Sequence, residues 1–472
     1  MNTHTTPKQL LTNTTIPIPI PIVPTIIPII PIIPIDYSSI YRYKICLGPM
    51  VRVNALPFRI LALQYGCDLI FTEELIDQRL LKCNRIINKS LNTIDYITNT
   101  GNNKCVLLRI DMKLEVNKLI LQLGTSDPGM ALKAALLVQN DVTGIDINMG
   151  CPKKFSIQAG MGVALLDNPS VAYSIVKTLK AHLDIPVSVK MRLCSPNPNN
   201  KPKCNNNSSN NSNSSTTDIP PTTTTTASTA STVDDMITCT VSFMKGLIDS
   251  GVDAITIHMR SRYMSSSDDL AHPASMLREI ITQLRSYQKE LYYSSFNPNP
   301  TSNPNPNPSY VPILVNGDMY HPEYIHTYVQ ESMCDGVMLA RPMLLNPSIA
   351  RQLQSMELWK GRGSSNVGDI DSLSSNSNSS VGSVGNSGSS GITPNPPTVS
   401  PTLLPTPLLS PIPPIYAHIN TQIVAIQSFL SVCRRYDPIF QVVKYTLQEM
   451  MLARRHPLSI MVCVCMCMYV YV

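Results

Sequence analysis

Residues 144–193 read GIDINMGCPKKFSIQAGMGVALLDNPSVAYSIVKTLKAHLDIPVSVKMRL, and this stretch sets the architecture of the chain. It opens on a short Ile-containing run, Gly144–Asn148, and closes on a second apolar run, Val187–Met191. Between them Pro169 starts a segment in which Ala172, Ile175, Val176 and Leu179 recur at helical spacing. A strand, a helix and a strand in this order make a crossover unit, which joins parallel strands. Runs this continuously apolar belong to strands buried on both faces.

The same alternation extends in both directions. Further apparent strands are Lys44–Leu47, Leu69–Phe71, Leu119–Leu123, Ala254–His258, Val311–Val315 and Gly336–Leu339. Helical patterns follow most of them, at Pro57–Tyr65, Pro128–Gln139, Val233–Ser250, Ala274–Tyr292 and Pro322–Gln330. Eight such strands separated by helices predict an α/β fold, a closed (β/α)8 TIM barrel, in preference to an open doubly wound sheet. No G-x-G-x-x-G follows the first strand, which counts against a dinucleotide-binding sheet.

Composition divides the 472 residues further. With 40 prolines, 14% charged and 6% aromatic residues, the 43% hydrophobic content must be concentrated in part of the chain. Residues 1–40 form a Pro/Ile-rich extension, 195–231 and 297–309 are Asn-, Ser-, Thr- or Pro-rich insertions, and 361–414 is a Ser/Gly/Pro linker. Such compositions cannot bury enough apolar surface to offset chain entropy, so disorder is expected there. The barrel then occupies 41–360, a small all-helical appendage 415–460, and an apolar tail 461–472. Ile16–Ile35 is as apolar as a membrane span, but prolines at 17, 19, 21, 24, 28, 31 and 34 forbid a continuous helix, so no membrane association is expected. Collagen, coiled coil and disulfide miniprotein are excluded on composition, and a net charge of +6 tolerates a polyanion without naming one. The 13 cysteines show no C-x-x-C pairing, which predicts reduced thiols in the cytoplasm or nucleus. Cys463, Cys465 and Cys467 lack histidine or acidic neighbours, so no metal is expected.

In a barrel of this kind chemistry belongs to the C-terminal strand ends and the loops after them. Unusual residues recur there: Pro49-Met50-Val51, Gln122, Asn148 with Cys151, Lys190, His258, Asn316-Gly317-Asp318 and Ala340-Arg341. Each has a structural use of its own. Cys151 reads equally as a small buried hydrophobe, His258 as a core hydrogen-bonder, Asn316-Gly317-Asp318 as a turn, and Arg341 as a surface charge. Lys190 within an apolar strand requires an anion, from a ligand or a carboxylate. Their convergence on one rim suits flavin mononucleotide. Asn316-Gly317-Asp318 and Ala340-Arg341 would take the phosphate, Gln122 the polar ring edge, Lys190 the N1 and C2 side of the ring, and Pro49-Met50 an apolar wall.

These residues lie in motifs that resemble the tRNA-dihydrouridine synthases. They are GPMVRVNALPFRILALQYGCDLIFTEELID at 48–77, LILQLGTSDP at 119–128, NDVTGIDINMGCPKKFSIQAGMGVALL at 140–166, VSVKMR at 187–192, VPILVNGD at 311–318 and VMLARPMLLNPSI at 337–349. The TEELID and NMGCPK segments look most like the eukaryotic cytosolic branch that acts on uridine 20 of the D-loop. The resemblance spans Tyr41–Met356, and 415–455 resembles the start of the family's C-terminal helical domain. It implies reduction of a tRNA uridine to dihydrouridine, with FMN as cofactor and NADPH as reductant, by a monomer. It implies Cys151 as general acid to C5 of the uracil, and Pro49, Met50, Val51, Gln122, Lys190, His258, Asn316, Gly317, Asp318, Ala340 and Arg341 as flavin ligands. Asn148 would orient the base, while Lys153 and Arg260 would meet the tRNA, as would Lys154, Arg262, Arg434, Arg435, Arg454 and Arg455 more weakly. The chain departs from the pattern with Met259 after His258, Asp318 where this branch often has Gly, and no double-stranded RNA-binding domain after the helices. A dihydroorotate dehydrogenase-type barrel acting on a free pyrimidine and a non-catalytic RNA-binding homologue are the alternatives.

Overall fold

A computed structural model describes residues 37–100, 103–195, 233–262, 264, 271–295, 310–356, 414–436 and 440–452. Strands β1 (Ile45–Leu47), β2 (Leu69–Phe71), β3 (Leu75–Ile76), β4 (Cys83–Asn88), β5 (Thr93–Thr100), β6 (Asn103–Asp111), β7 (Leu119–Gly124), β8 (Gly144–Met149), β9 (Val187–Leu193), β10 (Ala254–Ser261), β11 (Ile313–Asn316) and β12 (Gly336–Leu339) follow in chain order. The order β2-β1-β12-β11-β10-β9-β8-β7 with a β2–β7 pairing closes eight parallel strands into a barrel, and β3 adds to β7 beyond the closure. The expected (β/α)8 barrel is therefore the fold, and every expected strand lies within two residues of its observed bounds at the start and three at the end.

Local chemistry starts the outer helices. Asp127 accepts from the Met130 backbone N–H at 2.7 Å and so caps Pro128–Val138. Pro169 and Pro322 occupy the first turns of Pro169–His182 and Pro322–Ser332, where their missing N–H costs nothing. The barrel's inner face is apolar at the bottom, where Cys46, Leu69, Phe71, Ile120, Ala254, Leu314 and Met338 form a cluster with Tyr41. Tyr41, the first residue of the expected barrel, ends a short helix, Ser38–Tyr41, whose first three residues fall in the stretch expected to lack structure; it is 1% exposed and completes this plug. Ser38 is buried as well, so the packed chain starts before residue 41.

A feature with no counterpart in the sequence reading is the antiparallel sheet β4-β5-β6 between β3 and β7. It supplies one wall of a docking site for the helix Pro414–Tyr436, which packs on Leu56–Gln64 through Phe58 against Phe429. Arg109 of β6 donates to the Tyr436 carbonyl at 2.5 Å, and Tyr436 hydroxyl donates to Asp111. Underneath, the buried Arg59 pairs with Glu115 at 2.6 Å and also donates to the carbonyls of Asn54 and Arg109. The insertions expected at 195–231 and 297–309, the linker and the tail lie almost wholly outside the described residues. No described helix is long and apolar enough to cross a membrane.

Candidate active site

Side chains alternate along each strand, so register decides which ones share the interior. Gln122 pairs with Asp146, Asp146 with Ser188, Asn148 with Lys190, Lys190 with Thr256, and His258 with both Arg192 and Asn316. These polar residues therefore stack above the apolar plug, toward the C-terminal strand ends. Asp146 is fully buried and accepts from Gln122 Nε2 at 2.8 Å and from Ser188 Oγ at 2.7 Å. Burial raises its carboxyl to about 6, against the pull of those two bonds and of Lys190. Burial lowers Lys190 to about 8, with Asp146 pulling upward. Asp146, which was not singled out from sequence, thus acts on Lys190 through its field rather than through an ion pair. Its signal was present as the single acid in the apolar run Gly144–Met149.

Positive charge concentrates above this layer. Burial, followed by the fields of Lys190, Arg192, Arg260 and Arg341, drives His258 down to about 2, so its imidazole is neutral. Arg192 is partly a strut, donating to the Gly150 carbonyl at 3.0 Å and the Ser261 carbonyl at 2.9 Å. Arg260, expected at the tRNA surface, is 3% exposed and bonds Asp318. Arg341 meets the other Asp318 oxygen at 2.6 Å and lies over Tyr320. Asp318 therefore sits between two arginines. Asn316 fixes this loop by donating to the Met338 carbonyl at 2.7 Å. Ala340 precedes the five-residue helix Arg341–Leu345, and Gly317 has room for a Cβ beside Ala271 at 3.4 Å. Pro49 and Met50 are half-buried on the loop after β1, while Val51 is 45% exposed. Between His258 and Ser261 the β9–β10 register shifts, and Met259 turns fully into the core there.

Cys151 follows β8 in a turn built by Asn148, whose Oδ1 accepts from the Gly150 and Cys151 N–H groups at 2.9 and 3.0 Å. Asn148 thereby sets the cysteine's backbone. Behind the turn, Gly162 at φ +61 comes so close that a Cβ would lie 2.5 Å from the Cys151 carbonyl oxygen. Burial pushes the Cys151 thiol above its ordinary range, with Glu74 acting in the same direction. Glu74, within the TEELID motif, was not assigned a role from sequence; its side chain meets Asn148 and Cys151. Lys153 and Lys154 are exposed on the next turn, as are Arg434 and Arg435 on the appendage; Arg262 pairs with Asp167. Arg454 and Arg455 lie outside the described residues.

The donor set fits a phosphate-bearing flavin: four cations, Lys190, Arg192, Arg260 and Arg341, surround one neutral imidazole with the two carboxylates Asp146 and Asp318, leaving a surplus that an anion would neutralise. Fold and site together define a closed parallel βα barrel whose C-terminal rim gathers a cluster of cations and a half-buried cysteine. The chain belongs to the Dihydrouridine synthase (Dus) family, whose pattern it matches over residues 46–206 and 223–367. It is 33% identical over 318 residues to the tRNA-dihydrouridine(20) synthase [NAD(P)+] of Schizosaccharomyces pombe, covering 66% of this chain and 52% of that protein. It is 45% identical over 160 residues to the Saccharomyces cerevisiae protein of the same description, covering 32% of this chain and 42% of that protein. A Schizosaccharomyces pombe tRNA-dihydrouridine(20a/20b) synthase [NAD(P)+] is 25% identical over 301 residues, covering 64% and 66% respectively. The chain thus spans about half the length of the first two relatives.

Proposed function

We propose that this chain reduces a D-loop uridine of tRNA to 5,6-dihydrouridine, at position 20, with FMN on the rim and NADPH as reductant. The observation that carries the reading is the half-buried Cys151 in the turn after β8, beside Lys190 and Arg192 of β9, with burial pushing its thiol above the ordinary range. The described names of the two position-20 relatives support the substrate, and their NAD(P)+ designation supports the reductant.

Flavin, when bound, supplies hydride to C6 of the uracil. The chain's own residues do the rest. Lys190 and Arg341 offer cations to the cofactor's anionic groups, and Asn316, Gly317, Asp318 and Ala340 shape the loops around its phosphate. Gln122, whose Nε2 is held by Asp146, would offer its amide oxygen to the ring from β7, and Pro49, Met50 and Val51 would close the apolar side. His258 stays neutral and so acts as a hydrogen-bonding group rather than as a charge. Cys151 gives its S–H proton to C5, and a thiol that burial keeps protonated at neutral pH suits a general acid. The target base must leave its stack to reach the barrel, and exposed Lys153 beside the Cys151 turn is placed to meet a phosphate. Arg260 is placed to hold the cradle from inside rather than the tRNA backbone. A monomer working in the cytoplasm or nucleus is the setting that goes with this substrate. Incubating the purified chain with unmodified tRNA and NADPH tests it: nucleosides gain two hydrogens at one D-loop uridine, and the absence of any such gain from flavin-loaded protein refutes it.

A further inference from the structure

Glu74 stands on the segment between β2 and β3, and the adjoining Leu75 and Ile76 pair with Leu123 and Gly124 of β7. One of its oxygens, Oε1, is buried with no hydrogen-bond partner. A Cβ at Gly124 would lie 2.6 Å from that oxygen, so the carboxyl occupies space that only a glycine leaves open. The rest of the carboxyl meets the side chains of Asn148 and Cys151 and feels Lys153. An acid held this tightly against a thiol and an amide is costly unless its contacts do something.

The charges around Cys151 show what that is. Lys153 lies on its own turn, and Lys190 and Arg192 of the neighbouring strand β9 interact with its sulfur. Three cations alone would pull a thiol toward the thiolate, which cannot donate a proton. Burial opposes them most, and Glu74 is the acid that acts with it. We infer that Glu74 is a positioning residue for proton donation: its carboxylate holds the Asn148 amide and keeps Cys151 in the thiol form. This rests on the uridine-reduction reading given above. In the step it serves, the Cys151 S–H bond breaks, a C–H bond forms at C5, and the electron pair stays on sulfur. The thiolate so formed lies beside a carboxylate, which favours its reprotonation from water and resets the site.

The test follows Cys151 alone. The full-length chain is treated with iodoacetamide from pH 6 to 10, and modification of the Cys151 peptide is read by mass spectrometry. Glu74→Gln should move the alkylation midpoint down by about one pH unit, which is roughly tenfold faster modification at pH 7. Glu74→Asp keeps the charge and should restore most of the parent profile. In parallel, the pH profile of dihydrouridine formation should lose its alkaline limb earlier in Glu74→Gln than in the parent. If the Gln and parent alkylation curves superimpose, or Asp behaves as Gln does, Glu74 does not hold the thiol and the inference falls. If the parent alkylates as described but forms no dihydrouridine, the function reading fails while the role of Glu74 stands on the alkylation data.

Discussion

Replacing Lys190 by Met should make the flavin-free protein more stable while removing its hold on the cofactor. The Met side chain keeps nearly the length of the lysine stem and leaves out the charge. Burial lowers the amine from 10.5 to about 8 even with Asp146 beneath it. At about 1.4 kcal/mol per decade, holding the ammonium inside the barrel costs up to about 3 kcal/mol below pH 8. A depressed lysine carries this cost in full below its folded value, and sheds it as pH rises toward its unfolded value. The melting temperature of the flavin-free variant should therefore exceed the parent's by several degrees at pH 7, and the gap should narrow between pH 8 and pH 10. Differential scanning fluorimetry across that range measures it, and flavin retained after gel filtration measures the functional loss. A variant that melts below the parent at pH 7, or a gap unchanged at pH 10, would show that Lys190 is not a strained cation awaiting an anion.

Two other substitutions probe the supports. Glu115→Gln strands Arg59, whose side chain is 2% exposed, so chemical denaturation should report a loss of about 3–5 kcal/mol; a loss below about 1 kcal/mol would mean that the Asn54 and Arg109 carbonyls alone satisfy it. Asp318→Asn removes a carboxylate from between Arg260 and the 44% exposed Arg341, so calorimetry with inorganic phosphate should show roughly two- to fivefold tighter binding. Weaker binding would mean that Asp318 organises the cradle instead of competing for it.

The barrel was legible because parallel strands buried on both faces leave continuous apolar runs, and Leu119–Gly124 and Gly144–Met149 are buried at every position. The rim residues were legible because strand ends of a barrel face one space, so Cys151, Lys190, His258 and Arg341 came together as expected. What escaped depends on tertiary distance. Glu74 is far from Cys151 in sequence, and nothing local says that its carboxyl turns toward the thiol. Asp146 reads as an oddity of an apolar strand until register sets it beside Gln122 and Ser188. Arg260 looked like a surface charge because the register shift that buries it is not written in composition. The sheet β4-β5-β6 lies where polar and apolar residues mix without the long runs that marked the barrel, and its role appears only with the helix Pro414–Tyr436 docked beside it.

Delivery of the proton to C5 by Cys151 is tested by separating the two half-reactions in Cys151→Ala. Anaerobic absorbance follows reduction of the flavin by NADPH, and mass spectrometry of digested tRNA follows the two-hydrogen gain. Flavin reduction should run near the parent rate and uridine reduction should be slower by about 10² to 10⁴. Dihydrouridine formed by the Ala variant at the parent rate would contradict this role of Cys151.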